Sequence, residues 1–148
     1  MKPLFILAAT VLFSACQLLT SPEQEASAVA EEWADAYFNC DYHDAERLVT
    51  RESVKWLRFA ASNTNPADLQ ALQQEGPVNT EVSQISPITD TTFLATILVD
   101  RYLSASMQEE PHVDDNGTFT VAIVKSERKW KVKMADLPRS EKQSRAED

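Results

Sequence analysis

Apolar positions recur at helical intervals through the first half of the chain and alternate through the second. Val29, Ala30, Trp33, Ala36 and Tyr37 fall three or four residues apart, while Glu25, Glu31, Glu32 and Asp35 fall largely elsewhere. That spacing predicts a helix over 22–38, opened by Pro22-Glu23 and acidic in its first turns, where the helix dipole favours carboxylates. Asn39-Cys40-Asp41 breaks it. Asp41 is placed to cap a short second helix over 42–49 that buries Tyr42, Ala45, Leu48 and Val49. Thr50 starts a third, running to 62, with Val54, Leu57 and Ala61 on one face. Asn65-Pro66-Ala67-Asp68 combines an N-cap, a proline at the first helical position and an acid at the third, and Gly76-Pro77 ends that helix.

The period then changes to two. A strand is expected over 78–85, interrupted by Ser86-Pro87. Residues 91–105 carry Phe93, Ala95, Ile97 and Val99 on one side and Leu94, Leu98 and Tyr102 on the other, which predicts a central strand partly covered on both faces. A polar loop over 107–116 ends in Asp-Asn-Gly, a turn signal. Residues 118–125 and 129–135 form a hairpin, and in its second arm Trp130, Val132 and Met134 alternate with Lys129, Lys131 and Lys133. Residues 138–148 hold no periodic apolar residues and are expected to be a disordered polar tail. Helices followed by strands define an α+β domain with N-terminal helices packed on an antiparallel sheet.

The N-terminus has its own grammar. Lys2 precedes an apolar run from Leu4 to Phe13, shorter than the ~20 residues needed to cross a bilayer. It fits a secretory signal cut near Ala15. Leu12-Phe13-Ser14-Ala15-Cys16 also resembles the bacterial lipobox, which implies a signal peptide over 1–15, lipidation of Cys16 and a tether over 16–22 leading into a domain over 23–137. In such proteins the cysteine thiol is diacylated and the new amino group is often acylated. Two or three acyl chains anchor stably, where one does not. Gln17 rather than Asp after the cysteine fits the pattern for the outer membrane. The implied partner is therefore the membrane, through Cys16, and the implied location is the bacterial cell envelope.

Length and composition allow one domain: 148 residues, 43% hydrophobic and 25% charged. The net charge of -9 argues against nucleic acid, whose phosphates reward basic surfaces. With Gly76 and Gly117 as the only glycines, no phosphate-cradling glycine motif exists, and no Cys/His spacing matches a zinc site. The charge is also segregated. Residues 17–117 hold 5 basic and 18 acidic side chains, whereas 118–138 hold 5 basic and 2 acidic.

Three short motifs carry a resemblance to the NTF2-like (cystatin-like) superfamily, and within it to small lipoproteins with a DUF4878-type domain. Trp33-Ala34-Asp35-Ala36-Tyr37-Phe38 followed by Asp41-Tyr42-His43-Asp44-Ala45 is similar to that family's first two helices. Thr50-Arg51-Glu52-Ser53 resembles the turn before its third, and Lys129-Trp130-Lys131-Val132 its closing strand. Cys40 stands where relatives often have Gly. The resemblance implies a curved sheet wrapped around the first helix as a cone with a pocket at its mouth.

Asp35, Tyr37 and Arg101 are the candidate pocket residues, with Arg101 either aimed at an anionic ligand or paired at the end of its strand. Lys129, Lys131 and Lys133 form a candidate basic face, either simply solvated or in contact with anionic headgroups or an acidic partner. His43 lies among Asp41, Asp44 and Glu46, and His112 in an acidic loop, but neither spacing specifies a metal, and no cofactor is expected. No convincing acid–base pair stands out. The expected function is a non-catalytic domain binding a small ligand or protein partner. The alternatives are a cone-pocket isomerase or hydrolase, or an inhibitor- or immunity-like protein.

Overall fold

The computed structural model describes residues 20–104 and 112–146, so Cys16, the signal and most of the tether lie outside the described residues, as do Glu109 and Glu110. The first helix, α1, spans Pro22–Phe38. A reciprocal cap starts it: Gln24 N donates to Ser21 Oγ at 3.2 Å and Ser21 N to Gln24 Oε1 at 3.1 Å. A Schellman arrangement ends it, with Cys40 N bonded to Tyr37 O at 3.0 Å and Asp41 N to Ala36 O at 2.8 Å. Cys40 sits at φ 62°, the left-handed conformation that glycine adopts without cost. Ala26, Ala30, Trp33, Ala34 and Phe38 form the buried stripe, rotated slightly from the expected one; Val29, Ala36 and Tyr37 flank it half-buried.

The second helix, α2, is shorter than expected, Tyr42–Glu46, with Tyr42 only half-buried. Leu48 to Thr50 leave the helix to pair in parallel with the last strand: Thr50 N bonds to Val132 O at 2.9 Å and Val132 N to Leu48 O at 2.8 Å. This covers a sheet edge that would otherwise present unpaired backbone groups. A 3₁₀ turn at Arg51–Ser53 leads into α3, Val54–Asn63, which buries Leu57 and Ala60 and leaves Ala61 in solvent. The capped start of α4, Pro66–Gln73, is as expected, with Asn65 and Asp68 capping one another.

Four antiparallel strands in the order β1-β2-β3-β4 complete the expected α+β architecture: β1 Thr80–Thr89, β2 Thr92–Leu103, β3 Val113–Ser126 and β4 Lys129–Lys133. The sheet curves around α1. Strand β1 continues through Ser86-Pro87, in place of the expected interruption, with a register shift just after Pro87; as an edge strand it tolerates the missing N–H, and Pro87 pairs with Phe93. In β2, Phe93, Ala95, Ile97 and Val99 are buried; of the three residues expected on the other side Tyr102 is buried, Leu94 half-buried and Leu98 41% exposed, so β2 is central and covered mainly on one side.

Strand β3 begins five residues before the expected position. Asp114-Asp115-Asn116-Gly117 is strand rather than turn, paired with Val99 to Tyr102, although Asn116 keeps a left-handed φ of 53°. Gly117 is required by packing: an added Cβ would lie 2.6 Å from the rings of both Phe119 and Tyr102. The two-residue turn Glu127-Arg128 has φ of 51° and 69°, matching the twist of a tight hairpin.

The expected disordered tail is the largest correction. Residues 141–146 form α5, Glu141–Ala146, and Ser140 before it is fully buried. Gln143 N donates to Ser140 Oγ at 3.2 Å and Ser140 N to Gln143 Oε1 at 2.9 Å, while the Tyr102 hydroxyl donates to Ser140 Oγ at 3.0 Å. A polar segment is thus held by a cap and one buried hydroxyl, which no apolar period reveals.

Candidate functional site

The mouth of the cone is where α1 ends. Its Schellman turn places Tyr37, Phe38 and Cys40 side by side, α2 adds Tyr42, β2 adds Tyr102 and Leu103, β3 adds Phe119, and Leu137, Pro138 and Gln143 close it. Among the described residues the cavity at this mouth is about 60 Å³. Tyr37 stacks on Trp33 at 5.0 Å between ring centroids and meets Phe38 and Tyr42 edge-on at 5.1 and 5.6 Å. Phe38 packs against Phe119 at 4.6 Å, and Phe119 against Tyr102 at 5.1 Å. These offset and edge-on arrangements are the favourable aromatic geometries.

The polar groups at this mouth are phenols and a thiol. The Tyr42 hydroxyl lies 3.1 Å from Thr64 Oγ1 and 3.5 Å from Cys40 Sγ. Burial, and then the neighbouring Cys40, push the phenols of Tyr37 and Tyr42 well above the usual range. Burial likewise raises the Cys40 thiol, against the opposing hydrogen bond from Tyr42. At neutral pH all three keep their protons, and the Tyr42 hydroxyl donates to Cys40 Sγ. Trp33 Nε1 is buried and, among the described side chains, has no hydrogen-bond partner.

Of the three candidate pocket residues, only Tyr37 lines this cavity. Asp35 is solvent-exposed and faces Asn39, whose Nδ2 lies 3.4 Å from its Oδ1. Arg101 is buried and turned away from the mouth: its guanidinium donates to the carbonyls of Leu72, Gly76 and Pro77 at 3.1, 3.0 and 2.9 Å. Glu75 and Asp100 lie 3.8 and 4.0 Å from its Nε. It caps the end of α4, so the paired, end-of-strand reading of Arg101 holds and its placement in the pocket is corrected. Sequence reasoning missed Asn39, which pins α1 to the start of the sheet through Val78 N at 2.8 Å and Val78 O at 3.1 Å. Its only signal was its place in the helix-ending triplet.

The basic residues of β4 do share the outward face, opposite buried Trp130, Val132 and Met134. Lys129 and Lys133 are exposed; Lys131 is half-buried and donates to the Arg47 carbonyl. Hydrogen bonds from its own backbone and from Thr50, and then the charges of Lys133 and Arg51, hold the Glu52 carboxyl below its usual range. His43 is exposed, and His112 is exposed with Nε2 3.0 Å from Asp114 Oδ1. Among the described residues no cluster of His, Cys, Asp and Glu could hold a metal, and no helix is long and apolar enough to cross a membrane.

No protein-family model matches the chain, and no curated protein matches its sequence. Solved structures do match. An NTF-2 like protein of unknown function from Shewanella oneidensis MR-1 superposes with a TM-score of 0.52 at 11% identity, over 76% of this chain and 94% of that one. The association domain of CaMKII from C. elegans gives a TM-score of 0.43 at 13% identity, over 74% and 88%. The class defined by the helices, the curved four-stranded sheet and the first of these likenesses is an α+β domain of NTF2-like fold. At this identity the likeness extends to the fold alone.

Proposed function

We propose that this chain is a lipid-anchored lipoprotein of the bacterial cell envelope, of the DUF4878 type, held at the outer membrane through Cys16. Its NTF2-like domain is non-catalytic and engages a protein partner. The lipobox-like Leu12-Phe13-Ser14-Ala15-Cys16 and the short stretch before Ser21 support the anchoring. The observation that carries the non-catalytic half is the aromatic filling of the cone mouth. It leaves about 60 Å³, room for a few waters, against the ~300 Å³ or more of a typical metabolite pocket. The phenols and thiol lining it hold their protons too tightly to act as general bases at neutral pH.

The test has two arms. Replacing Cys16 with Ala is expected to abolish acyl labelling and leave the protein unprocessed or released from membranes; labelling that persists removes the anchoring claim. Native mass spectrometry of the wild-type protein is expected to show no retained metabolite. A stoichiometric small molecule would move the function to the pocket.

A further inference from the structure

The anchored end of the domain can be located. Trp130 Nε1 donates to Glu25 Oε2 at 3.0 Å, so the first turn of α1, which the tether enters, lies against β4. From Cys16 to Ser21 is five residues, ~18 Å at full extension. The β3–β4 turn is at this same end, and beside it runs an open groove of about 360 Å³ between β4 and the segment from Glu46 to Arg51.

Arg47, Arg51, Lys129 and Lys131 line that groove, with Ser126 at its end. Arg47 is paired with Glu32 at 2.6 Å, and Lys131 is held by the Arg47 carbonyl. Arg51 and Lys129 make no ion pair among the described residues, and both are exposed. Of the two acids in the lining, Glu46 is paired with Arg58 at 3.1 Å, so Glu127 in the lining and Glu52 beside Arg51 are the opposing charges. In a protein of net charge -9, Arg51 and Lys129 face one groove with a hydroxyl at the anchored end, neither of them in an ion pair among the described residues, and that arrangement favours an anion.

We propose that this groove takes the phosphate of an anionic lipid headgroup, with Arg51 and Lys129 as charged donors and Ser126 as a hydroxyl donor. Binding sets the orientation of the domain on the membrane. The proposal rests on the anchoring reading, and its test separates the two.

Protein extracted from membranes is checked by intact mass for acyl chains, then placed in vesicles of phosphatidylcholine alone or with one-third phosphatidylglycerol (~33%, enough for a negative surface potential). A water-soluble acylating reagent then modifies exposed lysines, read by peptide mass spectrometry. Lys142, whose Nζ lies 3.5 Å from Asp115 O, is the control, because Asp115 is ~35 Å along β3 from Ser126. Lys129 modification is expected to fall about fivefold in the anionic vesicles, the weight of one basic group at such a surface, and to recover in high salt. Lys142 is expected to be unchanged, and Arg51→Gln to remove most of the protection. Equal Lys129 modification in both vesicles overturns the proposal. So does equal protection by inorganic phosphate with neutral vesicles, which would make the ligand a free anion. Missing acyl mass defeats the anchoring reading alone; the same protein added to the vesicles from solution still decides the groove by its Lys129 modification.

Discussion

The indole of Trp130 donates to the carboxylate of Glu25 at 3.0 Å, joining the first turn of the first helix to the last strand across 105 residues of chain. The same ring packs edge-on against Phe93 at 5.2 Å and lies under Lys125 Nζ at 5.5 Å. One side chain thus ties together α1, β2 and β4. Replacing Trp130 with Phe keeps an aromatic ring but deletes the donor, and is expected to cost ~1–3 kcal/mol, whereas Ala should cost ~3–5 kcal/mol. Chemical denaturation measures both; a loss below ~1 kcal/mol for Ala would contradict the packing.

Arg101 gathers the carbonyls of three residues at the end of α4. Arg101→Gln should destabilise by ~1–3 kcal/mol, because carbonyls that Arg101 holds are left without a donor. Arg101→Lys should rescue little, since one ammonium cannot reproduce the planar fork. If Lys restored full stability, the carbonyl cap would be incidental.

Alkaline pH gives a second signature. The folded state holds the protons of Cys40, Tyr37 and Tyr42 more tightly than the unfolded chain does. Their contribution is therefore complete below the ordinary thiol and phenol values, about 8.5 and 10, and is lost as pH rises beyond them. Two of the three tyrosines are expected to ionise only together with unfolding. Phenolate absorbance that rises fully in the folded protein near pH ~10 would contradict the burial of these rings.

The C-terminal segment should matter to stability. Removing residues 139–148 deletes Ser140 and α5, and is expected to lower the melting temperature by roughly 3–6 °C, about 1 kcal/mol in a domain of this size. An unchanged melting temperature would restore the picture of a disordered tail.

The parts of this fold written in short-range pattern were legible before the structure. Pro22, Pro66 and the capping residues at Asn65 and Asp68 mark helix starts, and the Trp130/Lys131 alternation marks a half-buried strand. What escaped depends on partners distant in sequence. Leu48 to Thr50 read as helix by local spacing, but the open edge of β4 draws them into pairing with Val132. Asn116-Gly117 read as a turn, but the end of β2 holds them in register. The candidate pocket fared worst. Arg101 lies on the inward face, as its alternation with Val99 predicts, yet a carbonyl cluster from α4 claims it first.

The most direct measurement of the central claim is the mass of the N-terminal peptide of protein extracted from membranes. The expected peptide begins at Cys16 and carries diacylglycerol on the thiol, with or without a further acyl chain on the amino group. A peptide that begins at Cys16 or beyond without lipid would contradict it, leaving a secreted NTF2-like domain with no anchor.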